Sequence, residues 1–171
     1  MLTLAFDTTA DCCAIALLHD NKIVEKFSEE MDFGQAETLM PQIQKMLQSQ
    51  NLTFADLNLL AVCIGPGSFT GVRSSIAAAR AFGLACPNLK VTGVTAFEAY
   101  AHSLDMSELS DYNAVIIETK RADFYFQLFN GRLEKLCDAE ALPYEEIISR
   151  LKGKTVTLIG NGVERFLDRP S

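Results

Sequence analysis

The sequence predicts an α/β protein of two lobes, each laid down in the order strand, strand, strand, helix, strand, helix. Three observations predict it. Short apolar segments of strand length open each half of the chain, segments with helical periodicity separate the later apolar runs, and the same order restarts after one polar stretch, residues 105–113. The lobes are therefore assigned to residues 1–104 and 105–171, the second being incomplete at its C-terminal end. With 171 residues, 49% of them hydrophobic and 22% charged, the chain is long enough to bury a sizeable core.

In the first half, strands are expected at residues 2–6, 12–18 and 23–27, broken by Asp7-Thr8-Thr9 and by His19-Asp20-Asn21. Such short connections make them antiparallel neighbours. Over residues 35–48, Ala36, Leu39, Met40, Ile43, Met46 and Leu47 recur at helical spacing, so this segment is an amphipathic helix. Pro41 removes one backbone donor there and predicts a bend or a late start. An apolar run at 59–64 leads through GPGSFTGVR into a helix over 72–84. A strand at 90–94 comes next, and Thr95-Ala96-Phe97-Glu98 matches a capping box that starts a third helix. In the second half, strands are expected at 114–118, 124–129 and 132–136, with Asn130-Gly131 as the hairpin turn between the last two. A helix over 143–152 stopped by Gly153, a strand at 155–159 and a short helix at 162–167 complete the pattern. A doubled βββαβα order without sequence similarity between the copies is the signature of the actin, hexokinase and Hsp70 type of fold, in which two lobes flank a nucleotide cleft.

Composition narrows the function classes. A net charge of −7 argues against independent binding to a phosphate backbone, which draws its affinity from clustered Lys and Arg. An RNA substrate would have to be held by a partner. No apolar run approaches the roughly 20 residues needed to cross a bilayer, and MLTLAFDTT lacks the basic start of a secretory signal, so a soluble cytoplasmic protein without membrane association is expected. Cysteines 12, 13, 63, 86 and 137 form no CxxC pair and read as small core residues, with neither disulfide nor zinc expected. Cys12 and Cys13, being adjacent, should face opposite sides of their strand.

Two segments could hold phosphate. Gly65, Gly67 and Gly71, with Ser68 and Thr70 between them, stand between a strand and a helix N-terminus, where free N–H groups favour an anion. The loop is not a Walker motif, because Val72 and Arg73 stand where a Lys is required. A tight turn explains it equally well. Asp7, Thr8 and Thr9 could present a carboxylate and two hydroxyls to a phosphate or its magnesium ion, or form a simple turn. The helix that follows the glycines is rich in small residues, including Ala77, Ala78, Ala79, Ala81, Gly83 and Ala85, which suits close packing within the chain or against a partner. The only histidines, His19 and His102, form no metal-ligating pair, and no Ser, His and Asp nucleophile motif is visible. Asp7, Glu118 and Asp123 are isolated acids that could serve as a base in a cleft or simply face solvent.

With LAFDTT, AETLMPQI, GPGSFTGVRSSIAAARAFGLA and ETKRADFYFQLF in place, the chain resembles the TsaB (YeaZ) family over about residues 1–163. The resemblance implies the actin-like fold, belonging to the wider RNase H-like group. It also implies a non-catalytic subunit that pairs with the catalytic chain TsaD and, with the ATPase TsaE, supports threonylcarbamoylation of adenosine 37 of tRNA. By the same resemblance the subunit needs no cofactor of its own, ATP or ADP being bound at the partner interface. A homodimer is implied in isolation, and tRNA is contacted only through the complex. The implied interface uses the two long helices, through Glu37, Met40, Ile43, Met46 and Leu47 on the first and Arg73, Ile76, Ala79 and Arg80 on the second. Bulk added at Ala79 should then weaken the complex without unfolding the chain. The family's acidic and basic strand motif falls on Glu118, Lys120, Arg121, Asp123 and Tyr125. Gln35 replaces the family's usual His, Glu118 and Lys120 replace an Asp and an Arg, and relatives usually continue past the last strand. The alternative function is a small-molecule kinase or ATPase with magnesium on Asp7.

Overall fold

Alternating burial along β1 (Leu2–Asp7) and β2 (Cys12–His19) follows from their apolar residues recurring every second position. Asp20 and Asn21 both adopt positive φ, the conformation a tight hairpin requires, and return the chain antiparallel along β3 (Lys22–Glu30). Helix α1 (Gln35–Ser49) begins directly after Gly34, so Pro41 lies inside it and does not delay its start. Strand β4 (Leu59–Cys63), helix α2 (Phe69–Ala85) and strand β5 (Lys90–Val94) follow. The five strands form one sheet in the order β3-β2-β1-β4-β5, β1 pairing antiparallel with β2 and parallel with β4. Leu4, Phe6, Ile15 and Leu17 of the sheet meet Ile43 and Phe82 of the two helices in the core. Cys13 is buried in that core while Cys12 is half-buried, the alternation expected of adjacent strand residues.

The second sheet repeats the plan. Helix α3 (Ala96–Ala101) is followed by β6 (Tyr112–Glu118), β7 (Asp123–Asn130), β8 (Glu140–Pro143), α4 (Tyr144–Leu151), β9 (Val156–Ile159) and α5 (Val163–Leu167). Its order, β8-β7-β6-β9, matches the first sheet strand for strand and contains no equivalent of β5 among the described residues. This is the repeated unit of the actin-like fold, with the second copy shorter. The computed structural model describes residues 1–31 and 34–168, and its compact units are Met1–Thr95 and Ala96–Ser171. Helix α3 thus groups with the second unit, whereas the sequence places the boundary after residue 104.

One strand differs from expectation. Residues 132–136 are not a strand; Asn130-Gly131 turns into an irregular segment that meets β7 at the Phe129 and Lys135 bridge, where the Leu136 N–H donates to the Leu128 carbonyl at 2.8 Å and the Asn130 N–H to the Glu134 carbonyl at 3.0 Å. The strand partner of β7 is β8, which sets Leu142 opposite Phe124 and buries it in the second core with Phe126 and Ile147. Arg132, Glu134, Lys135 and Leu136 are exposed, so pairing them along β7 would bury no apolar surface. Residues 105–113 are also less of a linker than their polarity suggests: Thr157 donates to the Glu108 carbonyl at 2.8 Å, and buried Asn113 donates to the Ser110 and Asn130 carbonyls at 3.0 Å.

Candidate functional site

The two polar loops of the first unit meet. Helix α2 starts at Phe69, three residues earlier than its apolar pattern suggests, because Ser68 caps it by accepting a hydrogen bond from the Gly71 N–H. The loop before it carries positive φ at Gly65 and a cis peptide between Gly65 and Pro66. It lies directly against the β1–β2 turn: the Ser68 N–H donates to the Thr9 carbonyl at 2.7 Å. A methyl group on Gly67 would stand 2.2 Å from the Thr9 oxygen, and one on Gly71 would stand 1.9 Å from the Thr8 oxygen. These two glycines are therefore required for the loops to touch.

Side chains complete the clasp. Buried Thr8 donates from Oγ1 to the Gly71 carbonyl at 2.8 Å and shares a hydrogen bond with Ser75 Oγ at 2.8 Å. Thr9 Oγ1 lies 3.3 Å from Cys63 Sγ, and the Thr9 N–H donates to the Asp7 carboxylate at 2.6 Å. Burial, followed by the nearby Asp7 charge, pushes the Cys63 thiol up to about 11. Both threonine hydroxyls, the Ser68 and Gly71 amides and one Asp7 oxygen are thus engaged inside the chain. Ser75 was not legible as a member of this group. Its signal was a lone polar residue on the buried side of an alanine-rich helix, one turn beyond Gly71.

The two long helices divide sharply into core and surface. Ile43, Met46 and Leu47 of α1 and Ala79 of α2 are buried in the first unit's core, which corrects their assignment to a partner-facing surface. Their periodicity reports the face that covers the sheet. Glu37, Met40, Arg73 and Arg80 are exposed, and Ile76 is half-buried. The outer face of α2 also exposes Phe69 at 76% and Leu84 at 87%, with the Arg73 guanidinium 5.3 Å from the Phe69 ring centre. Between the helices runs an apolar groove of about 510 Å³ lined by Met40, Phe54, Ala77, Ala78, Ala81 and Ala85. Gln35 donates from its side-chain amide to the Met31 carbonyl at 2.8 Å, anchoring the start of α1.

In the second unit, the ETKRAD motif forms the turn between β6 and β7. Arg165 of α5 clamps it: Nε donates to Glu118 at 2.6 Å, and the terminal nitrogens donate to the Arg121 and Asp123 carbonyls at 2.8 Å each. Its guanidinium also lies 3.8 Å from the Phe124 ring centre. Thr119 donates to the Asp123 carbonyl and carboxylate, while Lys120 takes positive φ at the tip. Glu118 and Asp123 are therefore structural partners within the turn, Lys120 and Arg121 are exposed on it, and Tyr125 is half-buried on β7. Arg165 lies too far along the chain for any local motif to have connected it with Glu118.

Relatives settle the family. A curated tRNA threonylcarbamoyladenosine biosynthesis protein TsaB from Buchnera aphidicola subsp. Schizaphis graminum is 32% identical over 96% of this chain and 80% of its own length. The chain belongs to the TsaB family. A TsaB from Escherichia coli is 27% identical over 98% of this chain and 74% of its own length. The family model described as TsaD, tRNA N6-adenosine threonylcarbamoyltransferase, matches residues 33–149, so the TsaB chain shares most of its elements with that wider group. Among solved structures, YeaZ from Pseudomonas aeruginosa superposes with a TM-score of 0.83 at 23% identity, covering 99% of this chain and 81% of that one, which shows the same fold. Within the TsaB chain, no group of three or more His, Cys, Asp or Glu side chains that could hold a metal ion occurs among the described residues.

Proposed function

We propose that this chain is a non-catalytic subunit of tRNA threonylcarbamoyladenosine synthesis, pairing with a TsaD-type catalytic chain and working with a TsaE-type ATPase on adenosine 37. Membership of the TsaB family supports the pathway. The observation that carries the non-catalytic reading is the clasp between the two polar loops. A kinase of this fold needs an Asp and hydroxyls free for magnesium and phosphate, yet here the polar groups of Thr8, Thr9, Ser68 and Gly71 are engaged with one another and with Ser75 and Cys63. Any nucleotide used by the complex is then held at the partner interface, and tRNA reaches this subunit only through the partner. The complex works in the cytoplasm.

The exposed face of α2 and the groove beside α1 form the docking surface in this reading. A ridge of Phe69, Arg73, Ala77 and Leu84 flanked by an apolar groove suits packing against helices of a partner, where small residues let backbones approach closely. Alone, the chain covers the same face by forming a homodimer. The test is co-purification with a TsaD-type chain sized by light scattering, followed by a tRNA modification assay. Ala81→Trp and Ala77→Trp should each reduce affinity more than about tenfold with an unchanged melting temperature. Wild-type affinity in both variants, or modification that proceeds equally well without the chain, would overturn the reading.

A further inference from the structure

Helix α2 stands between two troughs, and the second lies on the side away from α1. This trough, of about 290 Å³, has β4 and β5 for its floor and α2 for its wall. The register sets Leu60 beside Val91 and Val62 beside Gly93, so Val91 and Gly93 share the sheet face on which α2 packs. Gly93 and Gly83 contribute no side chains, those of Ile64 and Val91 pack over them, and the trough they border is apolar apart from Arg80 and Thr92.

Strand β5 also ends its sheet. The Lys90 N–H donates to the Asn58 carbonyl and the Val94 carbonyl accepts from the Ile64 N–H, so residues 90, 92 and 94 turn their main-chain groups toward β4. By the two-residue period, Val91 and Gly93 turn theirs outward, and the first four residues of β5 are all exposed. An open edge beside a side-chain pocket is the arrangement that captures extended segments: the main chain supplies affinity, and alternate side chains supply specificity. The charges choose among such segments. Neither α2 nor β5 contains an Asp or Glu, whereas Arg80 stands at the trough and Lys90 opens the strand.

We propose that β5 accepts an extended, acidic segment of another protein as an added strand, seating an apolar side chain beside Gly93 and Gly83 and a carboxylate on Arg80. This site lies on the opposite side of α2 from the α1 groove and does not depend on the TsaD-type pairing. The experiment is titration of the labelled full chain with the acetylated, amidated peptide EVELEVE, read by amide chemical shifts and hydrogen exchange, with KVKLKVK as the control. The acidic peptide should shift and protect the Val91 and Gly93 amides, and the basic one should not. Gly83→Leu, which fills the trough while favouring the helix, should abolish the effect, and Arg80→Glu should weaken binding about tenfold. Three results overturn the proposal: no change at these amides with millimolar EVELEVE, equal binding of both peptides, or the same amides shifting with protein concentration alone. The last result would assign the edge to a second copy of the chain.

Discussion

At Gly71 the backbone of α2 presses so closely on Thr8 that an alanine methyl would stand 1.9 Å from a carbonyl oxygen. Nothing flexible is available to yield, because the obstructing atoms are main chain. Gly71→Ala should therefore cost about 2–3 kcal/mol of stability, measured by urea denaturation, and a loss within error would show that the loops do not seat on one another. Thr8→Val keeps the shape but leaves the buried Ser75 hydroxyl without its partner, so a loss of roughly 1–3 kcal/mol is expected by the same measurement. The thiols supply a pH test. Burial is the main cause that raises Cys13 and Cys63 from 9.0 to about 11. A thiol raised in the folded state leaves stability intact below pH 9.0, where both states hold the proton. Stability is lost as pH rises from there toward 11, because the unfolded chain releases its protons first. The melting temperature should fall across that window, and a Cys13→Ala, Cys63→Ala double variant should fall less steeply than the parent.

Among the elements, α1 separates a core residue from a surface residue within one turn. Ile43 is completely buried, while Met40, three residues earlier, is 38% exposed. Ile43→Ala should cost about 2–4 kcal/mol in thermal unfolding, and Met40→Ala less than about 1, with its effect felt instead in partner affinity. The periodicity of α1 was legible in the sequence, but which part of its apolar stripe faces the sheet was not. Met40, Ile43, Met46 and Leu47 all recur at helical spacing, and only the position of the sheet decides that the last three are core. The order of strands was legible wherever alternation or an apolar run met a turn, as at Asp20-Asn21. It failed at residues 132–136, where a good hairpin signal competed with the deeper burial of Leu142 beside Phe124. The loops themselves were found from their glycines and threonines, yet their mutual engagement was not, since it joins residues more than 50 positions apart. Arg165 was missed likewise, standing 47 positions from Glu118.

At the scale of the whole molecule, charge decides how the chain can meet tRNA. Fifteen basic residues stand against 22 acidic ones, and the exposed Lys120 and Arg121 share their turn with Glu118 and Asp123. Phosphate binding gains its free energy from releasing counterions by clustered cations, so a surface with this balance repels the backbone more than it neutralises it. The isolated chain should show no retention of tRNA in a gel shift at 150 mM salt, an experimental condition under which screening reaches only about 8 Å. Lowering the salt should not rescue binding, because the net term is repulsive. Adding a TsaD-type partner should produce a shifted complex whose salt dependence is set by the partner's cations. Replacing Lys120 and Arg121 together by Ala should leave that complex within about twofold of its parent affinity, since these two side chains neutralise no phosphate in this reading. A tenfold loss in the double variant, accompanied by a shallower salt slope, would instead place the β6–β7 turn directly on the RNA.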